Sequence, residues 1–134
     1  MKSVSSKFFY CICIFVFFFH SGFAQKSKDK PASKYDFQGP FCNGLARVKQ
    51  KLKWGFIDTT GGVVVPLKYN EVTNFSDGIS KVRIGQKWGL IDTKGTVIIK
   101  PTFDAIFDFV DGKAKVMLDG QEYYMNKQGV RVDK

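Results

Sequence analysis

Hydrophobic and polar positions follow three regimes along the chain. From Phe8 to Phe19 every residue is apolar, FFYCICIFVFFF. Residues 25–34, QKSKDKPASK, hold no large apolar side chain. From Tyr35 onward, apolar and polar positions alternate in short runs: Ala46-Arg47-Val48-Lys49, Ser80-Lys81-Val82-Arg83 and Ala114-Lys115-Val116-Met117. Successive side chains of a strand point to opposite faces, so period two marks half-buried strands with one wet face.

The alternating regime is one unit written three times. Phe41, Phe75 and Phe109 are 34 residues apart, as are Gly44, Gly78 and Gly112; Val48, Val82 and Val116; and Gly61, Gly95 and Gly129. Tyr35, Tyr69 and Phe103 keep the register, and Trp54-Gly55 recurs at Trp88-Gly89. Units 35–68 and 69–102 are identical at 12 of 34 positions, and unit 103–134 matches the second at 7 of 32, with no gap. A fixed period of this size marks a repeat architecture. The helical reading of a 34-residue repeat fails here: the units carry interior glycines, are rich in Val, Ile, Phe and Trp, and alternate with period two rather than 3.6.

Turn chemistry divides each unit into three short strands. Asn43-Gly44, Asp77-Gly78 and Asp111-Gly112 are tight-turn dipeptides. A strand over about 45–50 follows the first, and a turn at 51–53 leads into a strand over 54–58. Asp58-Thr59-Thr60-Gly61, Asp92-Thr93-Lys94-Gly95 and Asn126-Lys127-Gln128-Gly129 make the next turn, with the Asp or Asn oxygen accepting backbone N–H groups. Val63-Val64-Val65 and Val97-Ile98-Ile99 are the third strands, and Pro66 and Pro101 are expected to end them, because proline has no N–H for the ladder. A connector then runs from the Tyr35, Tyr69 or Phe103 position to the next phenylalanine. The expected inward columns are Ala46, Ser80 and Ala114; Val48, Val82 and Val116; and Gln50, Ile84 and Leu118.

Gly-Leu-Ala-Arg-Val at 44–48, Lys-Trp-Gly-Phe-Ile-Asp at 53–58, Lys-Trp-Gly-Leu-Ile-Asp at 87–92 and the Gly-x-Val-hydrophobic run that follows resemble the bacterial WG-repeat family. The resemblance covers Tyr35 to about Lys134. It implies tandem β-hairpin repeats, often behind a signal peptide, and no general enzymatic activity. The third unit departs from the pattern. Glu122-Tyr123 stands in place of Trp-Gly, Asn126 in place of Asp, and Arg131 and Asp133 where Val and Ile occur earlier. The two readings are a decayed unit and the polar cap that a repeat stack needs at its end, and the polar changes on the last strand favour the cap. The expected fold is therefore all-β: three tandem antiparallel hairpin-type repeats of about 34 residues, stacked in a short open β-solenoid-like array. Three small units fall short of the ~4–8 blades of a closed propeller.

The first regime reads as an address. Lys2 and Lys7 precede the apolar run, and Ser21-Gly22-Phe23-Ala24 offers small residues before Gln25. Charged start, short apolar stretch and small-residue cleavage site are the order of a secretory signal over 1–24. Twelve apolar residues at ~1.5 Å each span roughly 18 Å, short of a ~30 Å hydrocarbon core. The alternatives are an uncleaved anchor, or a lipid on Cys11 or Cys13, which the bulky Tyr10 and Ile12 disfavour. Residues 25–34 read as a basic flexible linker. The expected domain is 35–134, with units 35–68, 69–102 and 103–134. The expected location is periplasmic or secreted, with no membrane span after signal cleavage.

Charge changes this picture little. The whole chain carries +9. Cleavage leaves 19 basic against 12 acidic residues, and removing the linker leaves 15 against 11, a mildly basic domain. Nucleic acid is not an expected partner.

Candidate chemistry is sparse. Arg47, Lys49, Lys81, Arg83 and Lys115 share one strand parity and form a candidate basic stripe for an acidic protein or an anionic envelope polymer, or an ordinary solvated face that discourages edge pairing. Phe107, Tyr123 and Tyr124 depart from the repeat and are the candidate surface aromatics. Trp54 and Trp88, each followed by Gly55 or Gly89, read as packing, with glycine allowing close backbone approach. Asp58, Asp92, Asp77 and Asp111 occupy repeated turn positions and read as local hydrogen-bond acceptors. With no EF-hand spacing and one histidine, His20, in the expected signal, neither metal nor cofactor is expected. Cys42 has no histidine to activate it after cleavage and reads as a small, partly buried side chain, although an odd cysteine raises pairing between molecules.

The expected function is a non-enzymatic exported binding or scaffold module of the bacterial envelope, acting on protein partners. The alternative is a carbohydrate or cell-wall binding module. A small envelope hydrolase is the third reading, and it would need the repeat-breaking Cys42, Glu71 and Glu122 to cluster. Open sheet edges leave self-association open.

Overall fold

The computed structural model describes residues 33–132. The expected signal at 1–24 and residues 25–32 of the expected linker lie outside them. Every named element is a strand, and the strands form three four-stranded antiparallel sheets taken in chain order. The first sheet is β1 (Phe37–Cys42), β2 (Leu45–Gln50), β3 (Lys53–Asp58) and β4 (Val63–Tyr69). The second is β5 (Glu71–Val72), β6 (Ile79–Ile84), β7 (Lys87–Asp92) and β8 (Val97–Phe103). The third is β9 (Ala105–Val110), β10 (Lys113–Leu118), β11 (Gln121–Asn126) and β12 (Arg131–Val132). Each strand pairs with its sequence neighbour, and no sheet closes into a barrel.

The turns form where their side chains dictate. Asn43-Gly44, Asp77-Gly78 and Asp111-Gly112 hold φ values of 53° and 77°, 50° and 78°, and 50° and 75°. Two successive positive φ values make the hairpin turn whose twist matches that of its strands. At the next corner the Asp58 carboxylate accepts the backbone N–H groups of Thr60 and Gly62, both at 2.9 Å. Asp92 does the same for Lys94 and Thr96, and the Asn126 amide oxygen for Gln128 and Val130. The Thr60 hydroxyl, which also donates to Asp58, is the main cause holding that carboxyl below its ordinary pKa.

Two expectations need correction. Each sheet has four strands, not three, because the expected connector becomes the first strand of the following sheet. Pro66 and Pro101 do not end their strands: β4 runs on to Tyr69 and β8 to Phe103. Both are edge strands, where a missing N–H costs no ladder bond. Both also shift register beside the Trp-Gly pair, since Trp54 pairs with Tyr69 but Phe56 pairs with Val65. The irregular segment presses onto glycine. A Cβ at Gly55 would overlap the Val65 carbonyl oxygen and stand 2.9 Å from Leu67 N; at Gly89 it would overlap the Ile99 carbonyl and stand 2.8 Å from Pro101 N.

The sheets are layered, and apolar residues from both faces fill the gaps. Leu45, Phe56 and Val65 of the first sheet, with Tyr69, Val72, Phe75, Val82 and Ile91, make one cluster. Ile79, Leu90 and Phe103 of the second join Ile106, Ala114, Val116 and Met125 of the third in another. Tyr35, Ala46, Val48 and Ile57 make a third, on the other side of the first sheet. Both parities of β2 and β6 therefore contribute to cores, the second through Leu45 and Ile79. Ser80 fits among them because its hydroxyl donates to the Thr73 carbonyl at 2.8 Å. The expected inward column of Gln50, Ile84 and Leu118 fails at Ile84, which is 44% exposed at the strand's end. Along the third sheet, the repeat positions of Leu45/Ile79 and Phe56/Leu90 hold Lys113 and Tyr124, so the face turned away from the second sheet mixes these with Lys115, Phe107 and Val110 and builds no further core cluster among the described residues.

Candidate functional site

Three cross-strand rows decide what the sheets present beside their cores. In the first sheet Phe37, Lys49 and Trp54 stand opposite one another on β1, β2 and β3. In the second the same register holds Glu71, Arg83 and Trp88. In the third it holds Ala105, Met117 and Glu122. Arg47, Lys81 and Lys115 sit two residues before the middle member of each row, on the same strand face. Of the expected basic stripe, Lys49 and Arg83 therefore lie in these rows and Arg47, Lys81 and Lys115 beside them, and all five are half-buried.

Their surroundings differ. Arg83 Nη2 lies 2.7 Å from Glu71 Oε2, with its Nε at 3.1 Å from the same oxygen, and its guanidinium rests 5.6 Å from the Trp88 ring centre. Lys81 Nζ lies 2.8 Å from Asp108 Oδ1 and donates to the Ile106 carbonyl at 3.3 Å, which ties the second sheet to the edge of the third. Lys115 pairs with Glu122 and lies over the Phe107 ring. The Glu122 hydrogen bond is the main cause raising the Lys115 pKa, and the Lys81 hydrogen bond is the main cause lowering that of Asp108.

The first sheet is arranged around rings instead. The Arg47 guanidinium lies 5.7 Å from the Phe37 ring centre and 5.4 Å from that of Trp54, and Lys49 Nζ is 5.5 Å from Trp54. Phe37 and Trp54 meet edge-on, centres 5.5 Å apart. Among the described residues neither Arg47 nor Lys49 pairs with a carboxylate, and Arg47 Nε is buried without a hydrogen-bond partner.

The candidate aromatics are not one patch. Tyr124 stands opposite Lys115, and Phe107 lies under the same ammonium. Tyr123 points to the other face, packs against the core between the second and third sheets, meets Phe103 edge-on and lies under Arg131. Cys42 is 5% exposed and is not an available thiol. Cys42, Glu71 and Glu122 lie in three different sheets. Among the described residues no group of three His, Cys, Asp or Glu side chains converges to hold a metal ion.

One repeated set escaped the sequence reading. Asp36 accepts the Lys51 N–H, Asn70 the Gly85 N–H and Asp104 the Asp119 N–H, each at 2.8 Å. These side chains staple the approach to each sheet onto its central hairpin. Their 34-residue spacing was the available signal, masked by the change from Asp to Asn.

No curated protein and no solved structure matches this chain. The family model of the WG containing repeat matches residues 54–88 and again 88–121, which together make half the chain. Each match starts at a tryptophan whose following glycine lies under an irregular proline-bearing strand, and the chain belongs to the WG containing repeat family.

Proposed function

We propose that the protein is a non-enzymatic exported module that binds protein partners in the bacterial envelope. The observation that carries this reading is the contrast between columns and rows. The Val48, Val82 and Val116 column stays apolar and buried in all three sheets, while the row positions change from Phe37 to Glu71 and Ala105, from Lys49 and Arg83 to Met117, and from Trp54 and Trp88 to Glu122. That is a constant scaffold with a variable surface. The residues that break the repeat support a surface role over a reaction: Glu71 and Glu122 are each held by a cation, and Cys42 is buried in another sheet. Export rests on the pattern of 1–24 and places the amino terminus of the exported protein at Gln25.

The test is co-sedimentation of the expressed chain with the insoluble envelope of its source, before and after protease treatment of that envelope. Binding that disappears with protease and weakens in high salt is the expected result. Binding that survives protease shifts the assignment to the carbohydrate reading. Mass spectrometry of the exported protein checks the Gln25 terminus.

A further inference from the structure

The repeat supplies its own control for the first sheet. Three positions give carboxylates to the cations of the later sheets. Glu71 faces Arg83 across β5 and β6; Asp108 reaches Lys81 from the following sheet; Glu122 pairs with Lys115. The positions that would serve the first sheet in the same way hold Phe37 and Trp54 in that sheet and Asn74, from the loop between β5 and β6 of the following one. None is acidic. Arg47 and Lys49 therefore keep the strand positions of paired cations, with rings and an amide where the carboxylates stand elsewhere.

We propose that Arg47 and Lys49, set around Trp54 in the first sheet, bind two carboxylates of an extended acidic segment on a partner protein. This rests on the binding-module reading and names its site and partner chemistry. Two features select the ligand. The cations are two residues apart on β2, and a strand rises ~3.4 Å per residue, so their Cα atoms stand roughly 7 Å apart, the repeat of alternate side chains on an extended partner. Phe37 and Trp54 meet edge-on and Trp54 already has a guanidinium and an ammonium within 5.5 Å of its centre, so the cluster offers charge rather than a flat platform for a sugar ring. The rings hold the cations in place, which lowers the ordering cost of binding.

The probe is an alternating Glu-Ala peptide titrated into the full chain at low salt, read by Trp fluorescence and calorimetry, with polygalacturonate as the glycan comparison. Phe37→Glu places a carboxylate opposite Lys49 as Glu71 stands opposite Arg83, and it should weaken the peptide about tenfold or more by occupying the cation internally. Lys49→Gln should weaken it comparably. Phe37→Gln, which removes the ring without adding charge, should retain most of the binding. Arg83→Gln, in the internally paired second sheet, should leave it unchanged. Thermal melts confirm that each variant folds. Equal loss in Phe37→Glu and Phe37→Gln, or no loss in Phe37→Glu, overturns the proposal, as does polygalacturonate binding without peptide binding. If the peptide fails while co-sedimentation with the envelope persists, the site falls and the module reading stands. If both fail, both fall.

Discussion

Lys51 and Leu52 hold φ values of 48° and 66° in the hairpin between β2 and β3. An L-residue in the left-handed region carries a steric cost that glycine does not. The matching hairpin of the third sheet uses Asp119-Gly120, while Leu52 is 74% exposed and contributes no core. Leu52→Gly should therefore raise stability by about 0.5–1 kcal/mol, read as a higher midpoint in urea unfolding. A lowered midpoint would mean that the Leu52 side chain matters more than its backbone. At this scale the sequence was legible wherever one residue type answers one backbone demand. Asn43-Gly44, Asp58 and Gly55 behave as their chemistry requires. Lys51-Leu52 reads in the sequence only as a short turn, because neither residue type favours positive φ. Asp36, Asn70 and Asp104 were missed because their partners lie 15 residues away, which local turn rules do not reach.

At the scale of strands, the error at Pro66 and Pro101 has a physical origin. Proline removes one donor, and in an edge strand that donor faces outward, so pairing continues past it. The same logic hid the fourth strand: the connectors lack alternation because their strands are short or bulged, as the register shifts in β1 and β9 show. The stripe was legible in its parity. What each cation meets was not, because Asp108 belongs to the next sheet and Glu71 to a strand read as connector. These ion pairs set an acid limit. Lys81 lowers the Asp108 pKa, and Lys87 lowers that of Asp104. A carboxyl with a depressed folded pKa contributes stability that is fully present above its ordinary value near 3.8 and is lost as pH falls through the folded value. Melting temperature should accordingly fall below about pH 4. Asp108→Asn should lower the neutral-pH melt slightly, as expected for an exposed pair, and flatten the acid fall by that same small amount. An unchanged acid profile would remove Asp108 from the account.

At the scale of the described layers, two shared cores, one on each side of the second sheet, join neighbouring sheets, with the Lys81–Asp108 and Lys127–Asp77 ion pairs beside the second of them. Phe56, 1% exposed, belongs to one, and Leu90, 0% exposed, to the other. Each truncation to alanine should cost about 2–5 kcal/mol. In denaturant unfolding the double variant should cost the sum within about 0.5 kcal/mol, because the side chains share no cluster. A larger deviation would mean that the second sheet transmits strain between its faces. The layered all-β array was legible from the 34-residue period, since the two larger cores each need residues of neighbouring sheets. Which surface positions differ in their neighbours from sheet to sheet was not, because the period reports only what the sheets share.

The sequence unit and the sheet do not coincide. Tyr69 opens the second unit by its motif yet closes β4 of the first sheet, and Phe103 stands in the same relation to β8. With a gap-free period, the point at which one copy is said to end is a matter of convention. Unequal crossing-over between any two matching positions would add or remove one complete layer, wherever in the strand or turn the exchange fell. Such a chain inherits changes of length without a new junction to optimise. Its row positions diverge separately, one sheet at a time.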